Sequence, residues 1–257
     1  MNYGLYIAAS AASAQTARQD LLAGNLANVN TTAFSPDSIA IRQREVVRVE
    51  DNLPFEDSNA LIERLGAGVM PLPTRTAHTQ GPLEQTGSPL DIALEGSGFL
   101  VVREGQGPDA LRLTRDGRMA MNDQGVLVSA TDGAPILGTD LQPIRLDPAQ
   151  DVRIASDGRV LQGEEVVARL GVRDVADTAS LHKSGRNRFD APGGLRDLLV
   201  PAEARVIQGS IEGSSVNPIS TIMGLTNAGG SVRGNLRTIS LIDEIMGRAI
   251  SLGTVSG

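Results

Sequence analysis

Two runs of helical periodicity stand at opposite ends of this chain, and any fold has to find a partner surface for both. Near the start, Leu5, Ala8, Ala12, Gln15, Gln19, Leu22, Leu26 and Val29 follow alternating three- and four-residue steps, the repeat of one face of a helix. Residues 4–30 are predicted to form one helix. Ala8, Ala9, Ala11, Ala12 and Ala14 favour it and allow another helix close. Near the end, Ile222, Leu225, Gly229, Val232, Leu236, Ile239, Asp243, Met246 and Ile250 repeat the pattern. Asn217-Pro218 supplies a start signal, with proline in the first turn. Gly224, Gly229, Gly230 and Gly234 weaken this second helix, each by about 1 kcal/mol against alanine. It is expected to need a partner surface, or to kink near Gly229-Gly230.

Between these ends the chain changes character twice. Ser35-Pro36 closes the first helix, and residues 35–76 read as an extended arm with one exposed strand over Arg42–Val49. Asn52–Leu65 is polar and acidic, and Gly66-Ala67-Gly68 with Pro71 and Pro73 has the composition of a linker. Residues 77–212 carry short apolar runs: Leu90–Leu94, Phe99–Arg103, Ala110–Arg115, Arg118–Met121, Val126–Ser129, Pro143–Leu146, Val152–Ala155, Val160–Gln162 and Val166–Val172. Turn chemistry at Gly96-Ser97-Gly98, Asp116-Gly117, Asn122–Gly125, Asp132-Gly133 and Asp157-Gly158 separates them. The predicted fold is mainly β with terminal α-helices. An antiparallel β domain stands between N- and C-terminal helices that pair into a coiled-coil-like bundle on assembly. The predicted boundaries are 1–34, 35–76, 77–212 and 213–257.

Charge sharpens the contrast. Residues 1–34 hold only Arg18 and Asp20, and residues 214–257 hold three arginines against Asp243 and Glu244, so the ends sum to 0 and +1 and the centre carries −8, for a net charge of −7. An acidic chain without a basic cluster is not built to bind nucleic acid. Aromatic residues are 2% of the chain and tryptophan is absent, leaving no stacking platform for a small-molecule substrate. The absence of cysteine excludes thiol catalysis and thiolate-bound metal. No apolar run reaches the length of a membrane span, so the chain is not expected to insert in a membrane. Its start lacks the basic and apolar regions of a cleaved leader.

The chemistry-bearing candidates are few. His78 and His182 lie far apart in the sequence and share no metal-ligand spacing. Gly96-Ser97-Gly98 lacks the flanking glycines of a nucleophile elbow, and the Asp-Gly pairs lack the alternating acids of a calcium loop. No catalytic residue, cofactor site or metal site is assigned. What remains is an amide cluster. Asn25 and Asn28 share a helix face and Asn30-Thr31-Thr32 closes the helix, either as an ordinary helix end or as a contact in which amides hydrogen-bond to a neighbouring copy.

Four blocks carry a resemblance to a known family. The first is Asn25-Leu26-Ala27-Asn28-Val29-Asn30-Thr31-Thr32-Ala33-Phe34, and the second runs from Gly81 to Phe99 as GPLEQTGSPLDIALEGSGF. The third is Leu113-Thr114-Arg115-Asp116-Gly117-Arg118, followed by Gly125–Val128 and Gly133–Leu137. The last is Gly213–Ile219 with Asn235, Ile239 and Asp243–Met246. In this order they resemble the flagellar axial proteins, the rod and hook subunits of the bacterial basal body. The length and second block are similar to a rod protein, the proximal type ahead of the distal. Gly24 and Ala33 stand where the family usually has Asn and Gly, and Gly230 and Val232 where it tends to have Arg and Tyr.

The resemblance implies a non-enzymatic subunit of the periplasm-spanning rod that transmits torque to the hook. It also implies export through the flagellar type III apparatus without a cleaved leader. The terminal helices would line the export channel, with the β domain outside. Partners would be copies of itself, other rod and hook axial proteins and the export apparatus. The expected assembly interface comprises Leu22, Asn25, Leu26, Asn28, Val29, Asn30, Thr31, Thr32 and Phe34 from the first end. From the second it takes Val216, Asn217, Pro218, Val232, Asn235, Leu236, Ile239 and Met246. The competing reading is a secreted β-domain adhesin or ligand-binding protein with coiled-coil termini; an enzyme is the third.

Overall fold

A computed structural model describes residues 3–46, 49, 66–105, 107 and 110–254. The acidic stretch Asn52–Leu65 lies outside the described residues, as does part of the strand read over Arg42–Val49. The chain forms two compact units. One gathers Met1–Ala27, Asp37–Arg75 and Asn217–Gly257, and the other gathers Asn28–Pro36 and Thr76–Val216.

The first unit is organised by helices α1 (Tyr3–Ala27) and α2 (Pro218–Thr254). They run antiparallel. A Cβ on Gly224 would lie 3.2 Å from the Leu22 side chain, whereas one on Gly229 would meet the amide of Gln19, so α2 ascends as α1 descends. All eight periodic positions of the first end, Leu5 to Val29, are buried or half-buried. Strands β1 (Asp37–Ser38), β2 (Ile41–Gln43) and β3 (Val69–Pro71) belong to the same unit, and β3 packs on α1. β2 pairs antiparallel with β3, setting Ile41 opposite Pro71 and Gln43 opposite Val69. The linker-like Gly66-Ala67-Gly68 leads into this pair and sits tightly on α1. Ala67 is buried, and a Cβ on Gly68 would stand 2.2 Å from Ser10 Oγ. That hydroxyl donates to the Ile7 carbonyl at 2.8 Å and accepts the Val69 N–H at 3.2 Å.

Asn217 caps α2, its side-chain oxygen accepting the Ser220 N–H at 3.1 Å, with Pro218 at the first helical position. The helix continues without interruption through Gly229-Gly230. Its seam differs from the predicted stripe. Thr221, Leu225, Ala228, Val232, Asn235, Ile239, Ile242 and Met246 are covered in a regular four-three alternation, and Gly224 and Gly229 are covered beside them. Ile222 and Leu236, chosen for hydrophobicity, are exposed, because α1 approaches over the smaller Thr221, Ala228 and Asn235. Gly230 and Gly234 face open space. Replacing each with alanine is expected to stabilise the unit by about 1 kcal/mol, seen as a higher midpoint in thermal unfolding of the full chain.

The second unit is β. Its strands begin with β4 (Arg75–Thr76, which straddles the boundary), β5 (Leu83–Gln85), β6 (Ile92–Glu95), β7 (Phe99–Arg103), β8 (Leu111–Thr114), β9 (Met119–Met121) and β10 (Leu127–Ser129). They continue with β11 (Val152–Ile154), β12 (Arg159–Gln162), β13 (Glu165–Arg169), β14 (Val172–Val175), β15 (His182–Gly185), β16 (Arg188–Asp190), β17 (Leu199–Pro201), β18 (Arg205–Gln208) and β19 (Ser210–Glu212). The largest sheet has the order β15-β16-β8-β7-β14-β17, and every adjacent pair is antiparallel. β11-β12-β13 form a second sheet, and β18-β6, β19-β5 and β10-β9 form two-stranded ladders.

β7 explains why the unit has two cores. It reads as a continuous apolar run because both faces are covered. Leu100 and Val102 pack with Ile92, Leu94, Leu127 and Ile136, while Phe99 and Val101 point the other way to Leu113, Leu137 and Phe189. Two of the predicted strands differ. Residues 143–146 make only isolated bridges, and the run 166–172 divides at Leu170-Gly171 between β13 and β14. A Cβ on Gly171 would come within 2.6 Å of the Gly138 carbonyl, so the division marks a close backbone approach.

Candidate assembly surfaces

The candidate interface residues fall into three groups, the first two of them expected from the sequence. Leu22, Leu26 and Val29 are half-buried on the predicted stripe of the first end, Leu22 against Gly224. Val232, Asn235, Ile239 and Met246 lie on the α2 seam, whereas Leu236 is exposed. Asn217 and Pro218 are exposed at the start of α2, where they shape the helix end.

The second group is the amide cluster, and the structure satisfies much of it internally. Asn25 is buried and exchanges two hydrogen bonds with the Asp37 backbone, donating to its carbonyl at 2.7 Å and accepting its N–H at 3.0 Å. Asn28 accepts both the N–H and the hydroxyl of Thr31 at 3.1 Å. Asn30 is exposed. Asn187 Nδ2 donates to the Thr32 carbonyl at 2.7 Å, and the Phe34 ring lies under the Lys183 ammonium at 4.3 Å. Val216 is buried. Ala33 has φ 55°, left-handed backbone that favours glycine, which accounts for the glycine the resemblance places there.

The third group was not predicted. Ile219, Met223, Leu241 and Ile245 lie on the face of α2 opposite its seam, with Ile219 72% and Ile245 65% exposed. The signal was present: α2 carries large apolar residues in two registers, and a single stripe accommodates only one. α1 presents the converse surface. Ala9, Ser13, Thr16, Ala23 and Ala27 are small and exposed at three- and four-residue steps, with Asp20 the larger side chain among them.

A buried ion pair holds the family-like blocks of the β unit together. Arg115 and Glu212 side chains are 5% and 3% exposed, with Nη1 3.2 and 3.3 Å from the two carboxylate oxygens. Arg115 also donates to the Gly98 carbonyl at 3.1 Å and the Gly96 carbonyl at 2.5 Å, and Glu212 accepts the Gly81 N–H at 2.8 Å. Next to it, Arg118 pairs with Asp116 through two hydrogen bonds of 2.9 and 2.7 Å, which raise the guanidinium above its ordinary range. The Thr131 hydroxyl completes that carboxylate.

The two histidines are placed differently. His78 meets Phe99 and Phe189 edge-on, with ring centroids 5.6 and 4.8 Å away. His182 is exposed on β15, across from Asp190. Among the described residues no three His, Asp or Glu converge as a metal site, and none of the described helices is long and apolar enough to cross a membrane.

These features define a chain shaped for assembly, with helical ends that present unpartnered surfaces and a tightly pinned β unit. Residues 5–34 match the flagella basal body rod protein family, and residues 93–162 match the D1 domain of the flagellar hook protein FlgE/F/G family. The chain is 32% identical to the flagellar basal-body rod protein FlgF of Caulobacter vibrioides, over 86% of each. It is 28% identical to the flagellar hook-basal body complex protein FlhO of Bacillus subtilis, over 96% of each. It is also 26% identical to FlgF of Salmonella typhimurium over the whole of both chains. The chain belongs to the flagellar basal-body rod proteins of the FlgF/FlgG type. It is a structural subunit of the rod, and the adhesin reading has no support among these relatives.

Proposed function

We propose that this chain is a proximal-type rod subunit that polymerises through α1 and α2, with copies of itself and with other axial proteins. The helices line the export channel and carry torque toward the hook. The subunit reaches the basal body through the flagellar export apparatus, and it has no enzymatic role. One observation carries the reading: α2 is apolar on two sides, and α1 covers only one of them. Large side chains at Ile219, Met223, Leu241 and Ile245 match the stripe of small exposed residues on α1 of a neighbouring copy. A contact between two different surfaces is heterologous and extends as a helix where it does not close as a ring. The inner interface therefore takes Ile219, Met223, Leu241 and Ile245 beside Leu236, Leu26, Val29 and Asn30.

Ile245→Asp tests it. An exposed residue changes monomer stability by no more than about 0.5 kcal/mol, so the thermal midpoint should hold. A carboxylate at every joint should abolish rod assembly. Cells carrying only the variant are expected to lack complete rods in electron micrographs and to be non-motile. Normal rods and swimming would overturn the proposed interface.

A further inference from the structure

The segment that follows α1 has a built seat in the β unit. From Thr32 to Pro36, five successive residues each give a backbone group to a different partner. Asn187 Nδ2 donates to the Thr32 carbonyl at 2.7 Å, and the Ala33 N–H donates to the Glu212 carbonyl at 2.8 Å. The Phe34 carbonyl accepts the Ser215 N–H at 3.0 Å, the Ser35 carbonyl accepts Lys183 Nζ at 2.6 Å, and the Pro36 carbonyl accepts the Ala77 N–H at 2.9 Å. One side of this seat, around residues 212–215, holds the segment through backbone groups and through the Ser215 hydroxyl, which also donates to the Phe34 carbonyl at 3.3 Å. The other side is the β15–β16 hairpin, which reaches it with two side chains.

That hairpin is itself fixed. Arg186 and Asn187 turn it with φ 52° and 55°, and the Thr114 hydroxyl ties the Asn187 carbonyl at 2.9 Å. Lys183 is the only lysine of the chain. Its ammonium makes a charge-assisted bond to Ser35 and lies 4.3 Å from the centroid of the Phe34 ring, two interactions that reinforce each other in a half-buried place.

We propose that Lys183 and Asn187 form a clip that positions the exit of α1, so that this hairpin prepares the N-terminal helix for assembly. Without it, residues 32–36 would keep only their backbone partners and the Ser215 hydroxyl, and each joint made by α1 would have to repay the ordering of its connection. The functional consequence rests on the rod reading above; the clip does not.

The test separates the two. In the full chain, Lys183→Met keeps the bulk over Phe34 and removes the donor, and Asn187→Asp removes the other. Amide exchange at residues 33–35 should quicken at least tenfold in the double variant, while exchange in β7 and β8 stays unchanged. Acetylation with an excess of acylating reagent gives an independent readout, because intact mass then reports only Lys183 and the N-terminal amine. The Lys183 amine of the unmodified folded chain should react at least tenfold more slowly than in the denatured chain. Unchanged exchange at 33–35, or equal acetylation rates, would overturn the clip. If exchange quickens and motility in cells falls, the clip acts in assembly. If exchange quickens and motility is normal, its role in preparing α1 for assembly is overturned.

Discussion

Arg115→Met is expected to destabilise the β unit by about 3–5 kcal/mol, the cost of removing one partner of a buried ion pair. The methionine covers similar volume, so the loss is chiefly electrostatic. Glu212 would be left without its cationic partner in a place that is 3% exposed, and the Gly96 and Gly98 carbonyls would lose a donor. Against a typical domain stability of about 5–15 kcal/mol this is a large fraction, and urea unfolding of the full chain should show a much lower midpoint. Arg115→Met combined with Glu212→Met is the informative partner. With neither charge of this pair left, the double variant should be more stable than Arg115→Met alone, although the Gly81 N–H loses its acceptor. Double-mutant analysis would then give a coupling of several kcal/mol. Additive losses would mean that the two side chains act separately.

Gly117→Ala should be worse. A Cβ there would stand 1.8 Å from the Ile92 carbonyl oxygen and 2.8 Å from its carbon. The obstacle is backbone, held in place by the Ile92 N–H bond to the Gly117 carbonyl at 3.0 Å and by the β6–β18 ladder beyond it. Relief would require β6 to move, and β6 carries Ile92 and Leu94 into one of the two cores. The expected loss exceeds about 4 kcal/mol, in the range kept for core disruption, and the variant should be largely insoluble on expression. Gly133→Ala is the control. It also lies in an Asp-Gly pair, with φ 73° and open space around it, so it should lose only about 1–2 kcal/mol from strain. Equal losses at the two positions would remove the close-approach explanation.

Those two glycines also show what could be read from sequence. Asp116-Gly117, Asp132-Gly133 and Asp157-Gly158 all present the hairpin dipeptide, and Gly133 and Gly158 do adopt positive φ. Gly117 does not; its chain passes from β8, which pairs with β7 and β16, to β9, which pairs with β10. A local signal cannot distinguish a glycine that turns the chain from one that lets another strand approach. The same limit explains α2. Helical period, start and cap were legible from Asn217-Pro218 onward, because they are local chemistry. Which stripe meets α1 depends on the size of residues on both helices, and Ala228 and Asn235 are covered while Leu236 is exposed. In the amide cluster, side-chain type suggested an inter-subunit contact, yet the buried Asn25 is satisfied by the Asp37 backbone twelve residues on. The β15–β16 hairpin carries a weaker signal: its two turn residues, Arg186 and Asn187, are not glycine although both lie in the left-handed region, and Gly185, with φ 88°, stands one position earlier.

The two helices of the first unit are unequal, 25 residues against 37, and at about 1.5 Å per residue the difference is about 18 Å. Because they run antiparallel, the surplus of α2 projects past the start of α1. If the rod is built through these helices as proposed, the end of one helix would fall alongside the body of another, as courses of brick are laid with broken joints. No flat seam then crosses the wall, so a twisting load has no single plane along which to slip.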